Sequence, residues 1–438
     1  MTRLWQKGDS NGDATLADEE LHAFMCGRDL VADETLLPFD LVATTAHVRG
    51  LARIGVLSDT DCRELVTALT RLIGEVRGGR FVLDARFEDG HSAIEAWLSQ
   101  ELGELGRRVH LGRSRNDQVL VALRLYAKDR LLALRTILAR AATTFLRRAA
   151  DEGSAVMPGY THLQRAVPST VGLWLAGLAE GLVDDMEMVN GALRVVDGCP
   201  LGTGAGYGVN LALDREGVAR ELGFSRVQWN PLAAQNSRGK LELFALGAFE
   251  GALLDARRFA WDLSLFSMQE IAFVRLPDRY TTGSSLMPNK RNPDVVELLR
   301  AAYGACAGAR VDMATTLALP SGYQRDVQRT KGVFVSAVED ALGAMSVMAR
   351  LAADFEIDAA AMRQAIDAPM FATDRAIELA RQGVPFRDAY RTVAAAPPTI
   401  ATSRMAEESV RSRVSPGACA ELRLDAIGAR LVALTEPS

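Results

Sequence analysis

Proline is absent from four long stretches of this chain, and the length of those stretches is the strongest constraint on its fold. They cover residues 39–157, 169–199, 232–276 and 321–368. A proline inside a helix removes a backbone hydrogen bond and clashes with the preceding turn, so proline-free tracts permit long helices. The same tracts are rich in Ala, Leu, Arg and Glu, which are good helix formers. The chain is therefore predicted to be mostly helical.

Within these tracts, apolar residues recur every three or four positions, which places them along one face of a helix. The apolar stripes predict helices at about 117–150, 240–266 and 335–353. Helices of this length, roughly 40 Å at 1.5 Å per residue for 27 residues, must bury their stripes against one another. We predict an all-α fold with an elongated central helical bundle (113–362) and smaller helical N-terminal (1–112) and C-terminal (363–438) domains.

The two ends of the chain are predicted to hold shorter helices. Ser58 to Asp61 has the pattern of a capping box, placed after Gly55 has closed the preceding helix. Closely spaced prolines after residue 362 favour short helices and turns in the last domain. Strand signals are few.

The composition argues against several classes of protein. The 438 residues include 50 Lys and Arg against 55 Asp and Glu, a net charge of -5, so no broad cationic face for nucleic acid is expected. No apolar run approaches the ~20 residues that cross a bilayer, and the N-terminus does not resemble a signal peptide, so we expect a cytoplasmic protein. The five cysteines and five histidines form no zinc-site pattern, and neither a metal nor a cofactor is predicted.

The segment 282–293 is the most informative part of the sequence. It combines a glycine, paired serines, two prolines, two cations and amides between long helical tracts. This mixture predicts a mobile loop that carries hydroxyl, ammonium and amide groups. From the residues alone, a structural loop and a functional site are about equally good explanations.

Two further polar segments hold candidate site residues. In 157–164, His162 is interpreted either as a hydrogen-bonded core histidine or as an exposed catalytic group. In 110–118, arginines and amides precede a long helix, where they would suit a carboxylate ligand. The simpler explanation is a helix cap at Ser114 or Asn116 beside solvated arginines.

A third segment, 321–331, places Gln328 and Lys331 three positions apart, on one face if the segment is helical. The alternative is a charged face turned to solvent. The glycine run 202–208 suggests a nucleotide site but fails the G-x-G-x-x-G pattern, because Tyr207 stands where glycine is required. It also lacks G-K-[ST], so we reject a nucleotide site.

Residues 283–293 resemble the signature of the fumarase/aspartase superfamily, G-S-S-x-M-P-x-K-x-N-P. Within that superfamily, residues 110–118 and 159–164 and the spacing of Tyr323, Gln328 and Lys331 resemble the argininosuccinate lyase family. The likeness extends to residues 372–374 and 383–387, and so spans nearly the whole chain. It implies a helical homotetramer without a cofactor, whose active sites each draw separated motifs from different subunits.

The resemblance also implies roles for individual residues. Ser284 would be the catalytic serine of the loop, His162 the second proton-transfer group, Lys290 a stabiliser of negative charge, and Glu297 a partner of His162. The implied contacts to the small-molecule substrate, argininosuccinate, are made by Ser114, Arg115, Asn116, Thr161, Asn292, Tyr323, Gln328 and Lys331.

The implied reaction is a β-elimination that splits argininosuccinate into arginine and fumarate, the last step of arginine biosynthesis. A proton leaves the carbon next to a carboxylate, and the resulting aci-carboxylate needs fixed donors. We assign Ser284 as the base and His162 as the acid, and the opposite assignment stays open.

Three departures from the family pattern concern the part that would recognise the arginine end. Gly27 stands where a substrate-contacting serine is common, residues 236–239 replace a common S-D-R-D stretch, and Leu111 replaces a threonine. The alternatives are therefore a lyase acting on modified argininosuccinate or on adenylosuccinate, and an inert helical structural homologue. A serine hydrolase is a weaker option, since no G-x-S-x-G motif is present.

Overall fold

The computed structural model describes residues 20, 23–25, 29–84 and 86–435, and helices dominate this part of the chain. Gly27 lies outside the described residues. In chain order the helices are α1 (Asp29–Arg53), α2 (Asp59–Arg77), α3 (Gly90–Leu102), α4 (Glu104–Arg107), α5 (Arg115–Asp151), α6 (Val171–Val196), α7 (Arg215–Glu221), α8 (Pro231–Asn236), α9 (Lys240–Phe266), α10 (Asp294–Thr316), α11 (Gln328–Asp354), α12 (Ala359–Gln364), α13 (Ala372–Arg381), α14 (Phe386–Ala395), α15 (Ser403–Ser412) and α16 (Leu424–Thr435). The all-α prediction is confirmed.

The strands are short and form four separate pairs. They are β1 (Val156–Thr161), β2 (Gln164–Thr170), β3 (Gly198–Cys199), β4 (Arg226–Val227), β5 (Val274–Arg275), β6 (Thr282–Gly283), β7 (Arg291–Asn292) and β8 (Glu356–Ile357). Only β3 and β4 pair in parallel, whereas β1–β2, β5–β8 and β6–β7 are antiparallel. The β1–β2 hairpin and the β6–β7 ladder matter for function, because each carries residues of the candidate site.

The long helices follow the apolar stripes of the sequence. Helix α9 has the predicted bounds, and α5 extends slightly beyond its prediction at both ends. Helix α11 begins at Gln328, about two turns before the predicted start at residue 335. Among the described residues, the stretch 325–354 is apolar and long enough to cross a membrane by length and composition. Half of its most apolar window is buried inside the chain, which is also how the core helix of a soluble protein behaves.

Helix α1 corrects two expectations about the N-terminal region. It is 25 residues long, and Pro38 lies inside it, so helices before residue 112 are not uniformly short and Pro38 does not end one. Pro38 and Glu34, whose carbonyl loses its helical partner, are both exposed, so water can bind that carbonyl. The capping box at Ser58 is confirmed, with Ser58 accepting from the Asp61 N–H at 3.1 Å.

The chain divides into two compact units. Unit 1 comprises Met1–Ala133, Gly191–Phe249 and Ala305–Asp340, and unit 2 comprises Leu134–Asn190, Glu250–Gly304 and Ala341–Ser438. These units are assembled from separated segments, so they do not correspond to the predicted division at residues 112 and 362. The three-domain division stays a prediction.

Each unit has its own apolar core. In unit 1, the buried Tyr126 ring packs edge-on against Phe39 and Phe334, with ring centroids 5.8 and 5.9 Å away. In unit 2, the Phe259 ring lies 5.2 Å from Phe145 and 5.7 Å from Phe355. Aromatic clusters of this kind bury large apolar areas and fix the rotation of the helices that carry them.

Candidate active site

Six of the residues predicted to contact substrate line one cavity of about 540 Å³ in unit 1. They are Ser114, Arg115, Asn116, Tyr323, Gln328 and Lys331. Four carboxylates, from Asp29, Glu88, Asp89 and Glu95, share the same walls. A larger cavity of about 870 Å³ lies among residues 371–418 and holds none of the predicted site residues.

Lys331 lies in the first turn of α11 and is buried between two aspartates of α1. Its Nζ atom lies 2.6 Å from Asp33 Oδ1 and 3.4 Å from Asp29 Oδ2. Burial opposes the charged form, but the two carboxylates outweigh it and raise the pKa of Lys331. The ammonium form is therefore held in the cavity, and the interpretation of Lys331 as part of a solvated face is wrong.

Gln328, one turn earlier on the same face, fixes the start of α11. Its Nε2 donates to the carbonyl of Met25 at 2.9 Å, while Tyr323 precedes it in the connecting loop. The prediction that Gln328 and Lys331 share a helical face is confirmed, because α11 begins at Gln328 and both line the cavity.

Ser114, Arg115 and Asn116 form the start of α5. The Ser114 hydroxyl accepts from the Asn116 N–H at 3.3 Å, so Ser114 caps the helix as the simpler interpretation held. Arg115 is not merely solvated, because its Nη1 lies 2.5 Å from Glu88 Oε2. The start of α5, including its cap at Ser114, therefore forms part of the cavity wall.

The glycine run 202–208 wraps a carboxylate of the chain itself. The N–H groups of Gly202 and Gly204 donate to Asp117 Oδ2 at 3.0 Å each, and Ser114 N–H donates to Asp117 Oδ1 at 2.9 Å. Asp117 is fully buried. The glycines therefore anchor the start of α5 and, with it, the cavity wall.

Thr161 and His162 lie at the tip of the β1–β2 hairpin in unit 2. Thr161 pairs with Gln164, and the two residues between them, His162 and Leu163, have φ of 55° and 58°. Two positive φ values are typical of a type I′ turn, which is strained for residues other than glycine, asparagine or aspartate. His162 is exposed within the chain, so the interpretation as a core histidine is wrong.

The loop that carries Ser284 and Lys290 is closed at its base by β6 and β7. Thr282 pairs with Asn292 and Gly283 with Arg291, and Arg291 is tied to Asp278 by an ion pair. The Ser284 hydroxyl oxygen accepts from the N–H groups of Leu286 and Met287, at 3.2 and 3.0 Å. Two backbone donors aimed at one hydroxyl oxygen would stabilise negative charge on it.

Glu297 lies in the first turn of α10, on an exposed surface of unit 2. It forms an ion pair with Arg300 at 3.5 Å. Across the residues that the structure describes, Glu297 and His162 make no hydrogen bond to each other. The pairing of Glu297 with His162 therefore stays a prediction.

The predicted residues thus fall into two groups. Those of the cavity belong to unit 1, whereas Thr161, His162, Ser284, Lys290, Asn292 and Glu297 belong to unit 2. Sequence reasoning missed the acidic partners Asp29 and Asp33, although their spacing of four residues places them on one helical face. It treated residues 236–239 only as a departure from the family pattern and gave no role to Arg238, which lines the cavity.

Known proteins with similar sequences are named as lyases. The sequence profile of a family described as lyase matches residues 20–308. An argininosuccinate lyase of Xanthomonas campestris pv. campestris (strain B100) is 49% identical over 431 residues, which cover 98% of this chain and 99% of that protein. An argininosuccinate lyase of Stenotrophomonas maltophilia (strain K279a) is 48% identical over 432 residues, 99% of each chain.

Solved structures with much lower identity share the fold. EDDS lyase in complex with formate has a TM-score of 0.76 at 22% identity, covering 93% of this chain and 87% of its own. The class II fumarase of Schistosoma mansoni has a TM-score of 0.67 at 16% identity, covering 86% and 89%. These likenesses support the helical architecture and carry no conclusion about substrate.

Proposed function

The chain belongs to the argininosuccinate lyase family, and from this premise we propose that it cleaves argininosuccinate into arginine and fumarate. The observation that carries the proposal is the identity of 48–49% to proteins of that name over nearly the full length of both chains. The cavity in unit 1 and the Ser284 loop in unit 2 supply the chemical groups that such an elimination needs.

Proton abstraction is assigned to Ser284. A serine hydroxyl is a poor base in water, so its alkoxide must be stabilised before it can take a proton from carbon. The N–H groups of Leu286 and Met287 already donate to its oxygen. Closure of the loop over the substrate would exclude water and strengthen both interactions.

The species formed after abstraction is an aci-carboxylate with two negative charges on the former succinate carboxyl. Thr161, Lys290, Asn292 and the Ser285 N–H are suited to hold that charge. Removing one such donor typically costs ~100- to 1,000-fold in rate. Collapse of the intermediate breaks the C–N bond and releases fumarate.

His162 is assigned as the acid that protonates the departing guanidino nitrogen, with Glu297 holding the imidazole in place. Its position at an exposed hairpin tip supports contact with a substrate bound by another part of the assembly. The opposite assignment, with His162 as base and Ser284 as donor, is the alternative that kinetic isotope studies would separate.

We propose that the functional assembly is a homotetramer that works without a cofactor in the cytoplasm. The separation of the predicted residues into a cavity group and a loop-and-hairpin group supports sites that are shared between subunits. In such a site, Ser114, Arg115, Asn116, Tyr323, Gln328 and Lys331 would bind the substrate that Ser284 and His162 of other subunits convert.

The proposal is tested by following fumarate from purified protein. Argininosuccinate should be converted in preference to N-acetylated argininosuccinate, adenylosuccinate and aspartate. Preference for the acetylated compound would instead favour the modified substrate suggested by residues 236–239 and Gly27. Failure of every compound to bind or react would favour an inert homologue and would overturn the proposed activity.

A further inference from the structure

Arg238 is a buried cation on the wall of the unit 1 cavity. It lies between α8 and α9, has only 4% of its surface exposed, and lines the cavity. It belongs to none of the segments whose likeness assigns the substrate contacts above.

No carboxylate of the described chain pairs with Arg238. Its Nε atom is buried without a hydrogen-bond partner, and its guanidinium makes no ion pair or hydrogen bond with any described residue. The ring centroid of Tyr323 lies 5.7 Å from the guanidinium carbon of Arg238. The guanidinium thus faces the cavity with its donors unused.

The contrast with Arg124 shows that this is not the rule for buried arginines in unit 1. Arg124 is also buried, but it donates to Glu242 Oε1 at 3.3 Å and to Ser237 Oγ at 2.7 Å. Ser237 adjoins Arg238, yet its hydroxyl is committed to Arg124 and to the Ala234 carbonyl.

The residue on the other side of Arg238 cannot supply a partner either. Gly239 has φ of +77°, and a Cβ atom built there would lie 2.6 Å from Leu317 Cδ2. A carboxylate at this position would need a strained backbone and displacement of Leu317. Among the described residues, Glu242, Asp29 and Asp33 are near enough to favour the charged form of Arg238, but none of them forms an ion pair with it.

The nearby acids of the cavity are already paired with other cations. Asp33 and Asp29 hold Lys331, and Glu88 holds Arg115. A guanidinium stays protonated in proteins, and a buried charge without a partner is strongly unfavourable. A carboxylate of a bound ligand would complete its hydrogen bonds, since the two groups match in a bidentate geometry.

We propose that Arg238 binds the α-carboxylate at the arginine end of the substrate and determines specificity for that end. This inference rests on the proposed function, which assigns the reacting succinate end to Thr161, Ser284, Lys290 and Asn292. The arginine end then lies in the unit 1 cavity, which Arg238 lines.

The test compares two substrates that differ only in the proposed contact. One is argininosuccinate, and the other is its decarboxylated analogue, in which agmatine replaces arginine. For the wild-type protein, kcat/KM should be higher for argininosuccinate by about 10- to 100-fold, the usual worth of a hydrogen bond to a charged group. Arg238→Gln should lose this preference because its kcat/KM for argininosuccinate falls, whereas its kcat/KM for the analogue should change less than about threefold.

Two further variants make the comparison specific. Arg238→Lys keeps the charge but not the fork of donors, and should retain part of the preference. Arg329→Gln removes an exposed cation that does not line the cavity and is paired with Asp312 at 2.9 Å, so it should leave the preference unchanged. Circular dichroism and gel filtration check that each variant keeps its fold and assembly.

The outcomes separate this inference from the proposed function. If the wild type produces fumarate but Arg238→Gln loses kcat/KM equally for both substrates, the proposed role of Arg238 is overturned and the proposed function stands. If Arg238→Gln does not fold, an Arg238→Lys variant with the full wild-type preference would count against a guanidinium contact. If the wild type converts neither substrate, the proposed function itself fails.

Discussion

The buried cations of this protein differ in the partners that stabilise their charge. Lys331 forms ion pairs with two carboxylates, and Arg124 donates to Glu242 and Ser237, whereas Arg238 makes no ion pair with any residue that the structure describes. A buried ion pair is costly to break because it leaves one charge unpaired. The contrast among these three cations supports the proposal that Arg238 binds a ligand.

Asp185 on α6 provides a test of how burial affects stability. Its residue surface is 5% exposed, and its Oδ2 has no hydrogen-bond partner. Burial, with Asp255 and Asp184 nearby, raises the pKa of Asp185 from 3.8 to about 8. The folded state therefore holds a proton that the unfolded state has lost, so this carboxyl destabilises the fold increasingly as pH rises from about 4 to about 8.

Asp185→Asn should remove that dependence. Urea unfolding at pH 5.5 and 8.5 should show that the variant gains stability relative to wild type as pH rises, by at most about 1.4 kcal/mol per pH unit. Asp340→Asn is the control, because Asp340 is an exposed aspartate on α11 and is not among the groups that raise the pKa of Asp185. Equal shifts in both variants, or no pH dependence in the difference, would contradict the assignment.

At the scale of elements, the sequence predicts the long helices well and the turns poorly. Apolar stripes place α9 at its observed bounds, because every turn of such a helix must bury the same face. Pro38 does not mark the end of a helix, because it lies on the exposed side of α1, where water can replace the lost hydrogen bond. The β1–β2 hairpin has no clear periodic signal, since its register comes from pairing between strands.

The same reasoning explains which site residues could be anticipated. Short motifs such as 283–293 and 110–118 are local, so their resemblance to a known family can be recognised in the sequence. The partners of Lys331 lie about 300 positions earlier in the chain, at Asp29 and Asp33, and only the packing of α1 against the start of α11 brings them together. The unpaired state of Arg238 is likewise a property of the packed structure.

The strained hairpin tip gives a prediction at this scale. Leu163 has φ of 58° and is 71% exposed, so its side chain contributes little burial to stability while its backbone conformation is strained. Leu163→Gly should raise the free energy of unfolding by about 1 kcal/mol, because glycine adopts this conformation without steric cost. Leu163→Ala trims the side chain but keeps the strain, so a similar gain in both variants would count against the explanation.

At the scale of the whole molecule, the site residues are divided between two compact units, and the proposed tetramer combines them across subunits. If Gln328 and Ser284 of one site come from different subunits, then a tetramer with both altered and unaltered copies contains some intact sites.

Gln328→Ala and Ser284→Ala should each be nearly inactive alone, yet regain activity when the two proteins are unfolded and refolded together. The regained fumarate production should appear only in the mixture and not in either variant refolded by itself. A mixture no more active than its components, although mixed tetramers form, would mean that each site belongs to one chain.

The claim on which the mechanism depends is that the Ser284 hydroxyl is one of the two groups that transfer protons. It is tested most directly by measuring fumarate release from argininosuccinate by Ser284→Ala, with Ser285→Ala as the neighbouring control. We expect Ser284→Ala to keep its fold, its assembly and its affinity for substrate while losing nearly all turnover, with Ser285→Ala much less affected. Turnover by Ser284→Ala close to that of the wild type would contradict the account.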